Sequence, residues 1–253
     1  MNTIVVNVKD RLATITLNRP KSNALNGEMI GEINDILNSI AADDQIGGVI
    51  ITGKEPFFSA GLDLVELYGY NEQEAAGFWR QFMDFVHTLV AFPKPMVAAI
   101  SGHSPAGGCI IALAADYRIM AEGKFIIGLN EVPVGIIVPE SIFELYAFWI
   151  GKAAAARSLL EGRLFQPQEA LAAGLVDEVV SPAGLLTAAD RRIRKYMQLE
   201  RNTWQQSKLN IRRKLIAAMA ADQSDMLEKM LKQWWSPATR HILETILKNL
   251  QNK

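Results

Sequence analysis

The sequence predicts an α/β fold with parallel strands, followed by a helical C-terminal region. Two observations support this prediction. Short apolar strands alternate with amphipathic helical segments as far as residue 180, and strand patterns are absent from about Leu185 onward. Strands that alternate with helices form parallel sheets, whose ligand sites lie at the C-terminal ends of the strands. We therefore expect a core over residues 1–184 and a helical region over residues 185–253.

The spacing of apolar residues predicts the individual elements. Alternation of apolar and polar residues over 4–8 and 12–17 indicates a β-hairpin with one buried face. Helical spacing predicts a helix from Met29 to Ile40, and the apolar run over 49–52 predicts the next strand. The same patterns predict strands at 96–100, 117–121, 125–127 and 176–180 and helices at 78–89, 107–115, 140–150 and 153–161.

The composition excludes several classes of protein. The chain has 253 residues, of which 49% are hydrophobic and 21% charged, as in ordinary globular proteins. Its apolar runs are shorter than the roughly 20 residues that cross a bilayer, and residues 1–8 lack a signal or transit pattern. One cysteine excludes an internal disulfide, and three scattered histidines argue against a bound metal. We expect a cytoplasmic protein with no membrane span, no metal and no redox chemistry.

Positive charge is concentrated near the C-terminus. Residues 190–253 contain 14 Lys and Arg but 6 Asp and Glu, although the whole chain has a formal net charge of -1. These cations either form a solvated helical face or contact an anionic ligand or a neighbouring acidic subunit. A protein that binds RNA without catalysis is an alternative of another class. The chain lacks the interleaved aromatic residues and overall basic charge of such proteins, so we expect no nucleic-acid partner.

Two loops that follow predicted strands are rich in small residues. Residues 57–64 contain Ser59, Ala60 and Gly61, which allow close approach to the backbone. Residues 101–109 lead through a proline and paired glycines into a helix, so their N–H groups and the positive end of the helix dipole face whatever lies before that helix. Together the loops can offer converging backbone donors. Neither matches a P-loop or a GxGxxG fingerprint.

A third segment, residues 127–139, is apolar except for Asn130 and Glu131. Apolar surroundings disfavour the charged form of a carboxylate and raise its pKa towards the range useful for proton transfer. Composition alone leaves two interpretations of Glu131 open: a catalytic base, or a structural carboxylate that accepts hydrogen bonds.

In this order and spacing, the three segments resemble the crotonase (enoyl-CoA hydratase/isomerase) superfamily over nearly the whole chain. Further similarity lies in residues 18–26 and in Asp116–Ile119. The resemblance implies a crotonase-like ββα spiral core over 1–184 and a trimerisation or lid region over 185–253. It also implies an acyl-CoA substrate used in fatty acid β-oxidation, CoA as part of that substrate and no separate cofactor, and a homotrimer or dimer of trimers.

The resemblance also assigns site residues. In this family two backbone N–H groups bind the thioester oxygen and stabilise an enolate, and by position these belong to Leu62 and Gly107. Preorganised donors of this kind contribute about 3 to 4 kcal/mol each. The implied substrate-binding residues are Ala60, Gly61, Asp63, Leu64, Gly108 and Asn130. The implied acyl tunnel is lined by Phe82, Val134 and Ile137.

The number of carboxylates indicates the reaction. Hydratases of the family use two glutamates, because one water must be held and deprotonated while the alpha carbon is protonated; here the first position is Ile110. Moving a double bond needs only one carboxylate, which Glu131 matches. The sequence is most similar to the mitochondrial-type delta-3,delta-2-enoyl-CoA isomerases of the superfamily. A hydratase, or another crotonase-type reaction in which a different group replaces the missing glutamate, is the alternative.

Three other residues have a functional and a structural interpretation. Asp63 is either catalytic or part of a structural Gly-x-Asp pattern. His103 either touches substrate or is a hydrogen-bonded loop histidine. Cys109 has no nearby base in the sequence, so we expect it to be buried by packing.

Overall fold

The computed structural model describes residues 1–251, and a six-stranded sheet lies at its centre. The strands of the chain are β1 Ile4–Lys9, β2 Leu12–Leu17, β3 Gly48–Thr52, β4 Met96–Ile100, β5 Ser104–Pro105, β6 Tyr117–Ala121, β7 Ile127–Gly128 and β8 Glu178–Val180. The large sheet has the order β1-β2-β3-β4-β6-β8, and β5 pairs with β7 in a separate two-stranded sheet. β1 and β2 are antiparallel, and all other pairs are parallel.

Helices cover the sheet and form the C-terminal quarter of the chain. They are α1 Gly27–Ala42, α2 Leu64–Tyr68, α3 Glu72–Ala91, α4 Gly107–Ala114, α5 Glu140–Ile150, α6 Lys152–Glu161, α7 Pro167–Ala172, α8 Leu185–Met197, α9 Arg201–Ala220, α10 Ser224–Trp234 and α11 Pro237–Gln251. Two 3₁₀ turns occupy Val132–Val134 and Pro182–Gly184.

Burial explains why the central strands are so apolar. Every residue of β3 and β4 is buried, as expected for parallel strands covered on both faces, whereas the edge strand β1 is mostly exposed. The predicted hairpin, the helix-strand alternation and the C-terminal helices are confirmed. β7 and β8 are shorter than predicted, and α2, α7 and β5 were missed because elements of two to six residues show no clear periodicity.

The C-terminal helices pack directly on the sheet and on the earlier helices. α8 contacts β3, β4 and β6, and α9 contacts α3 and α5. One continuous hydrophobic core includes residues from both parts of the chain, among them Ile193, Leu215 and Trp234. The division into two domains at residue 184 stays a prediction. In residues 1–251, no helix combines the length and apolar character needed to cross a membrane.

A buried ion cluster anchors α9 to the core. Asp116, which follows α4, pairs with Lys208 Nζ at 2.8 Å and with Arg212 Nη2 at 3.0 Å. Arg212 also donates to the carbonyl of Ala114 at 2.7 Å, at the end of α4. Burial lowers the pKa of Lys208 to about 8, and the negative charge of Asp116 opposes this shift. Lys208 and Arg212 therefore pair with groups inside the protein.

The interpretation of the basic C-terminal region is thus corrected in part. Besides the buried pair, Arg191 bonds Glu178 and Arg201 bonds Asp44, both in the acidic part of the same chain. In these contacts the cations pair with carboxylates of their own chain, and not with solvent alone or with an external partner. The sequence could not show them because the paired charges are separated by 13 to 157 residues and meet only in the fold.

We expect Asp116→Ala to lower the free energy of unfolding by about 3 to 5 kcal/mol, because it leaves two buried cations without their partner. Urea unfolding of the purified variant measures this change. Asp190→Ala is the control: it removes the exposed pair with Arg194, which water and salt screen, so its free energy of unfolding should stay close to the wild-type value. Equal losses in the two variants would contradict a structural role for the buried cluster.

Candidate active site

Three segments meet at one side of the sheet: the first loop (residues 57–64), the second loop (residues 101–109) and the Glu131 segment (residues 127–139). Backbone hydrogen bonds join the first loop to the second and the second to the strand that begins the Glu131 segment. The donor and acceptor pairs are Phe58 N to His103 O at 3.0 Å, Ser59 N to His103 O at 3.2 Å and Ala106 N to Gly128 O at 2.8 Å.

Glycines allow the first and second loops to pack closely. Gly61 has φ +87°, and a Cβ there would lie 2.9 Å from the Cβ of Ala106 and 3.2 Å from Gly107 N. A Cβ on Gly108 would lie 2.5 Å from the carbonyl oxygen of Ser59. Both glycines are therefore required for contact between the loops. Their contact with substrate stays a prediction.

The second loop leads into α4 through an unusual backbone conformation at Ala106. Ala106 has φ 49° and ψ -121°, a region that residues with a Cβ rarely adopt. The next residue, Gly107, is the first of α4, whose early N–H groups have no acceptor within the helix. Among the loop and turn bonds of residues 1–251, neither the Leu62 N–H nor the Gly107 N–H donates to a carbonyl. Both groups are available to a ligand.

The first cavity, of about 100 Å³, brings together six of the predicted site residues. They are Ala60, Leu62, Leu64, Gly107, Asn130 and Glu131. The three predicted tunnel residues, Phe82, Val134 and Ile137, line the same cavity. Gly61, Asp63 and Gly108 are not among its lining residues in the described chain.

Glu131 is held by its backbone, while one oxygen of its carboxylate has no hydrogen-bond partner within residues 1–251. Its carbonyl accepts hydrogen bonds from Val134 N at 3.1 Å and Ile136 N at 3.0 Å, which fixes the turn. Its Oε2 atom is buried and has no hydrogen-bond partner within residues 1–251. Burial, opposed by a hydrogen bond from the residue's own backbone, raises the pKa of Glu131 to about 7. The structural interpretation, which requires bonds to that carboxylate, is therefore disfavoured.

Much of the cavity wall is apolar, including the part made by α4. Ile110 is 3% exposed and lines the cavity, so α4 supplies no second carboxylate at that position. Among the lining residues in the described part of the chain, Glu131 is the only acidic one. The site can therefore bind an oxyanion through two N–H groups and move a proton through one carboxylate.

Asp63 has structural partners outside the cavity. Its carboxylate accepts hydrogen bonds from Val65 N at 3.1 Å and Glu66 N at 3.0 Å, which caps α2, and it pairs with Arg19 Nη1 at 2.6 Å. These bonds support the structural interpretation of Asp63. Because Asp63 directly follows Leu62, they also hold the backbone next to Leu62 in place.

The side chains of His103 and Cys109 are both packed against apolar or aromatic neighbours. The His103 ring packs between Phe57 and Phe125, with centroids 5.3 and 5.4 Å away. Its Nδ1 is buried without a hydrogen-bond partner in the described chain, which disfavours the hydrogen-bonded interpretation for that atom. Cys109 is fully buried as predicted, and burial raises the pKa of its thiol.

No group of three or more His, Cys, Asp and Glu side chains within residues 1–251 is arranged to hold a metal ion.

The sequence did not indicate that α10 and α11 support the Glu131 segment. Gly135 has φ +79°, and its carbonyl accepts a hydrogen bond from Thr239 Oγ1 at 3.1 Å. Gln233 donates to the same Thr239 oxygen at 2.9 Å. Arg240 donates to the carbonyl of Tyr68, at the end of α2, at 3.0 Å. The C-terminal helices thus touch both the turn after Glu131 and the helix after the first loop.

Burial of Glu131 also predicts how stability depends on pH. The folded pKa of about 7 exceeds the ordinary 4.5, so the folded state binds the proton more tightly. Its stability therefore falls as pH rises from 4.5 to about 7, and the total loss is on the order of 3 kcal/mol. We expect Glu131→Gln to remove this part of the decline, which urea unfolding at several pH values measures. Parallel pH curves for the two proteins would contradict the shift.

Comparisons with known proteins show to which family the chain belongs. The profile of the family described as enoyl-CoA hydratase/isomerase matches residues 7–247. Mouse mitochondrial enoyl-CoA delta isomerase 1 is 39% identical over 208 residues, which cover 81% of this chain and 72% of the mouse protein. A probable enoyl-CoA hydratase of Rhizobium meliloti (strain 1021) is 35% identical over 189 residues, covering 74% of this chain and 72% of that protein.

A solved structure extends the similarity to the whole fold. The crystal structure of human mitochondrial delta3-delta2-enoyl-CoA isomerase matches with a TM-score of 0.95 at 31% sequence identity, covering 99% of this chain and 98% of that chain. The match confirms the predicted crotonase-like fold, including its C-terminal helices. Sequence and structure together show that the chain is an enzyme that belongs to the enoyl-CoA hydratase/isomerase family.

Proposed function

We propose that this enzyme is an isomerase that converts a 3-enoyl-CoA to the trans-2-enoyl-CoA. One observation carries the proposal: Glu131, the only acidic residue lining the first cavity within residues 1–251, has a buried Oε2 atom without a hydrogen-bond partner, and Leu62 and Gly107 line the same cavity. The relatives described as enoyl-CoA delta isomerases in mouse and human support it. The substrate is then an acyl-CoA, and the reaction uses neither a metal nor a redox cofactor.

In the proposed reaction, the two N–H groups bind the thioester oxygen. Removing a proton from the alpha carbon places negative charge on that oxygen, and the result is a dienolate. Donors that already point at the developing charge stabilise it without reorganising, by about 3 to 4 kcal/mol for one donor. Asp63 follows Leu62 and caps α2, and Ala106 precedes Gly107 at the start of α4. These two residues keep the N–H groups of Leu62 and Gly107 oriented.

Glu131 carries the proton between two carbon atoms. Its carboxylate takes the proton from the alpha carbon and returns it to the gamma carbon, so the double bond moves and no atom is gained or lost. A base with a pKa of about 7 is ionised in part near neutral pH and still returns the proton readily. The apolar wall at Ile110 favours this transfer over addition of water, because it offers no group to hold that water.

Hydration of a 2-enoyl-CoA is the alternative, favoured by the relatives described as probable hydratases. Asn130 lines the cavity beside Glu131 and is the polar side chain best placed to hold a water. Incubation of the enzyme with a 3-enoyl-CoA and with a 2-enoyl-CoA separates the two functions. We expect rapid isomerisation of the first; hydration of the second at a matching rate would overturn the assignment.

Assembly and location are further parts of the proposal. We propose a homotrimer or a dimer of trimers, which the mass of the purified protein in solution would distinguish. The cytoplasmic location stays a prediction, and the related mouse and human isomerases are named mitochondrial.

Replacing the proposed base tests the mechanism directly. We expect Glu131→Gln to lower the rate of isomerisation by about 100- to 10,000-fold, because the amide cannot accept the proton, while acyl-CoA binding is retained. Steady-state kinetics and calorimetric binding of a saturated acyl-CoA measure the two effects. Glu140→Gln, at an exposed carboxylate near the same segment, should keep the wild-type rate. Substantial turnover by the Glu131 variant would place the base elsewhere.

The pH dependence of the reaction follows from the raised pKa. Only the ionised form of Glu131 takes a proton, so kcat/KM for isomerisation should rise with pH and level off above an apparent pKa of about 7. Initial rates in a buffer series at constant ionic strength measure the profile. A kcat/KM that stays constant from pH 4.5 to 7 would contradict the assignment of Glu131 as the base.

A further inference from the structure

Tyr146, on α5, has a buried hydroxyl that the proposed reaction does not use. Its side chain is 0% exposed, and its Oη atom has no hydrogen-bond partner within residues 1–251. Buried polar groups of native proteins are nearly always bonded, either to another protein group or to an ordered water. This hydroxyl therefore requires a partner, and its neighbours indicate which one.

Tyr146 lies one helical turn beyond the wall of the first cavity. Ile142, four residues earlier on the same face of α5, lines that cavity together with Ile110 of α4. Three residues after Tyr146, Trp149 Nε1 donates to the carbonyl of Leu113, near the end of α4, at 2.7 Å. α5 therefore packs along α4, and Tyr146 lies between these two contacts.

The same packing brings Tyr146 close to Glu131. Cys109, next to Ile110 on α4, is fully buried, and its thiol lies beside the backbone of Gly128, three residues before Glu131. Burial raises the pKa of Cys109 and of Tyr146, and the negative charge of Glu131 adds to both shifts. Such an effect requires short distances, because electrostatic interactions weaken with separation. Tyr146 and Glu131 are therefore neighbours in the interior.

The two side chains are complementary as hydrogen-bond partners. The Oε2 atom of Glu131 is a buried acceptor that has no donor within residues 1–251. Because its pKa is raised, the Tyr146 hydroxyl stays protonated and can donate, and it is a stronger donor than the thiol of Cys109. The two oxygens do not bond directly to each other, and one water between them would give both a partner.

We propose that Tyr146 is a positioning residue that donates a hydrogen bond, through one buried water, to Oε2 of Glu131. This inference rests on the proposed function, in which Glu131 is the base. The bond fixes the orientation of the carboxylate and leaves its other oxygen for the proton of the substrate. A hydrogen bond to the ionised form also stabilises that form, so a larger fraction of Glu131 is ready to accept a proton near neutral pH.

Two further groups act on Tyr146 from the side of α6. Ser158 of α6 and the charge of Arg163, which follows that helix, both oppose the rise in the pKa of Tyr146. The Arg163 side chain is half exposed, so water screens its charge. Ser158 is the competing partner for the Tyr146 hydroxyl. A hydroxyl that bonded to Ser158 alone would have no effect on the protonation of Glu131.

Tyr146→Phe tests the proposal because it removes the hydroxyl and keeps the ring. We expect the apparent pKa in the profile of kcat/KM against pH to rise by about one pH unit, as a hydrogen bond to a charged group is lost. At pH 6, kcat/KM should therefore fall about tenfold, and at pH 9 it should stay within about twofold of the wild-type value. A purely structural role would change kcat/KM by the same factor at every pH, and that result would overturn the proposal.

Two variants serve as controls for the kinetic profile. Tyr196→Phe makes the same substitution at a half-buried tyrosine of α8, and Ser158→Ala removes the competing hydroxyl. Both should keep the wild-type apparent pKa. A shift in either control as large as that in Tyr146→Phe would overturn the specific link between Tyr146 and Glu131.

Infrared spectroscopy measures the titration of Glu131 without turnover. The carboxyl band that disappears in Glu131→Gln identifies the residue, and its titration midpoint should lie about one pH unit higher in Tyr146→Phe than in the wild type. Equal midpoints in these two proteins would overturn the proposal. If the midpoint shifts but the wild type isomerises no 3-enoyl-CoA at any pH, the proposed function fails and the link between Tyr146 and Glu131 stands.

Discussion

The active site depends on backbone hydrogen bonds that join three loops side by side. The first loop bonds to the second, and the second bonds to the strand that leads to Glu131. Because main-chain groups make these bonds, they position the N–H donors and the carboxylate relative to each other whatever the neighbouring side chains are. Gly61 and Gly108 are needed for the same reason, since a Cβ at either position would push the loops apart.

The unpaired carboxylate and the buried cations illustrate opposite uses of burial. Asp116 neutralises Lys208 and Arg212, so those charges fix α9 against the core. Glu131 has no such partner, and the cost of burying it appears as a pKa near 7. A site that must accept and return a proton needs this destabilised carboxylate, and the surrounding fold, including the bond from Thr239 to Gly135, holds it in place.

Much of the fold follows from local patterns. The hairpin, the alternating helices and strands, and the helical end of the chain are visible in the sequence because burial of one face gives each long element a periodic pattern. Short elements such as α2 lack that pattern, and the pairing of distant charges such as Arg201 with Asp44 has none. The motifs around Leu62, Gly107 and Glu131 are also local, so the candidate site could be assembled from them.

The sequence by itself determined that one glutamate lies in an apolar segment, that two small-residue loops precede it and that Ile110 occupies the position of a second glutamate. Only the tertiary structure decided that the Oε2 atom of Glu131 has no hydrogen-bond partner within residues 1–251 and that Asp63 caps a helix. The physical reason is distance along the chain. A motif records the conformation of a few adjacent residues, whereas pairing, burial and empty space arise between segments that meet only when the chain is folded.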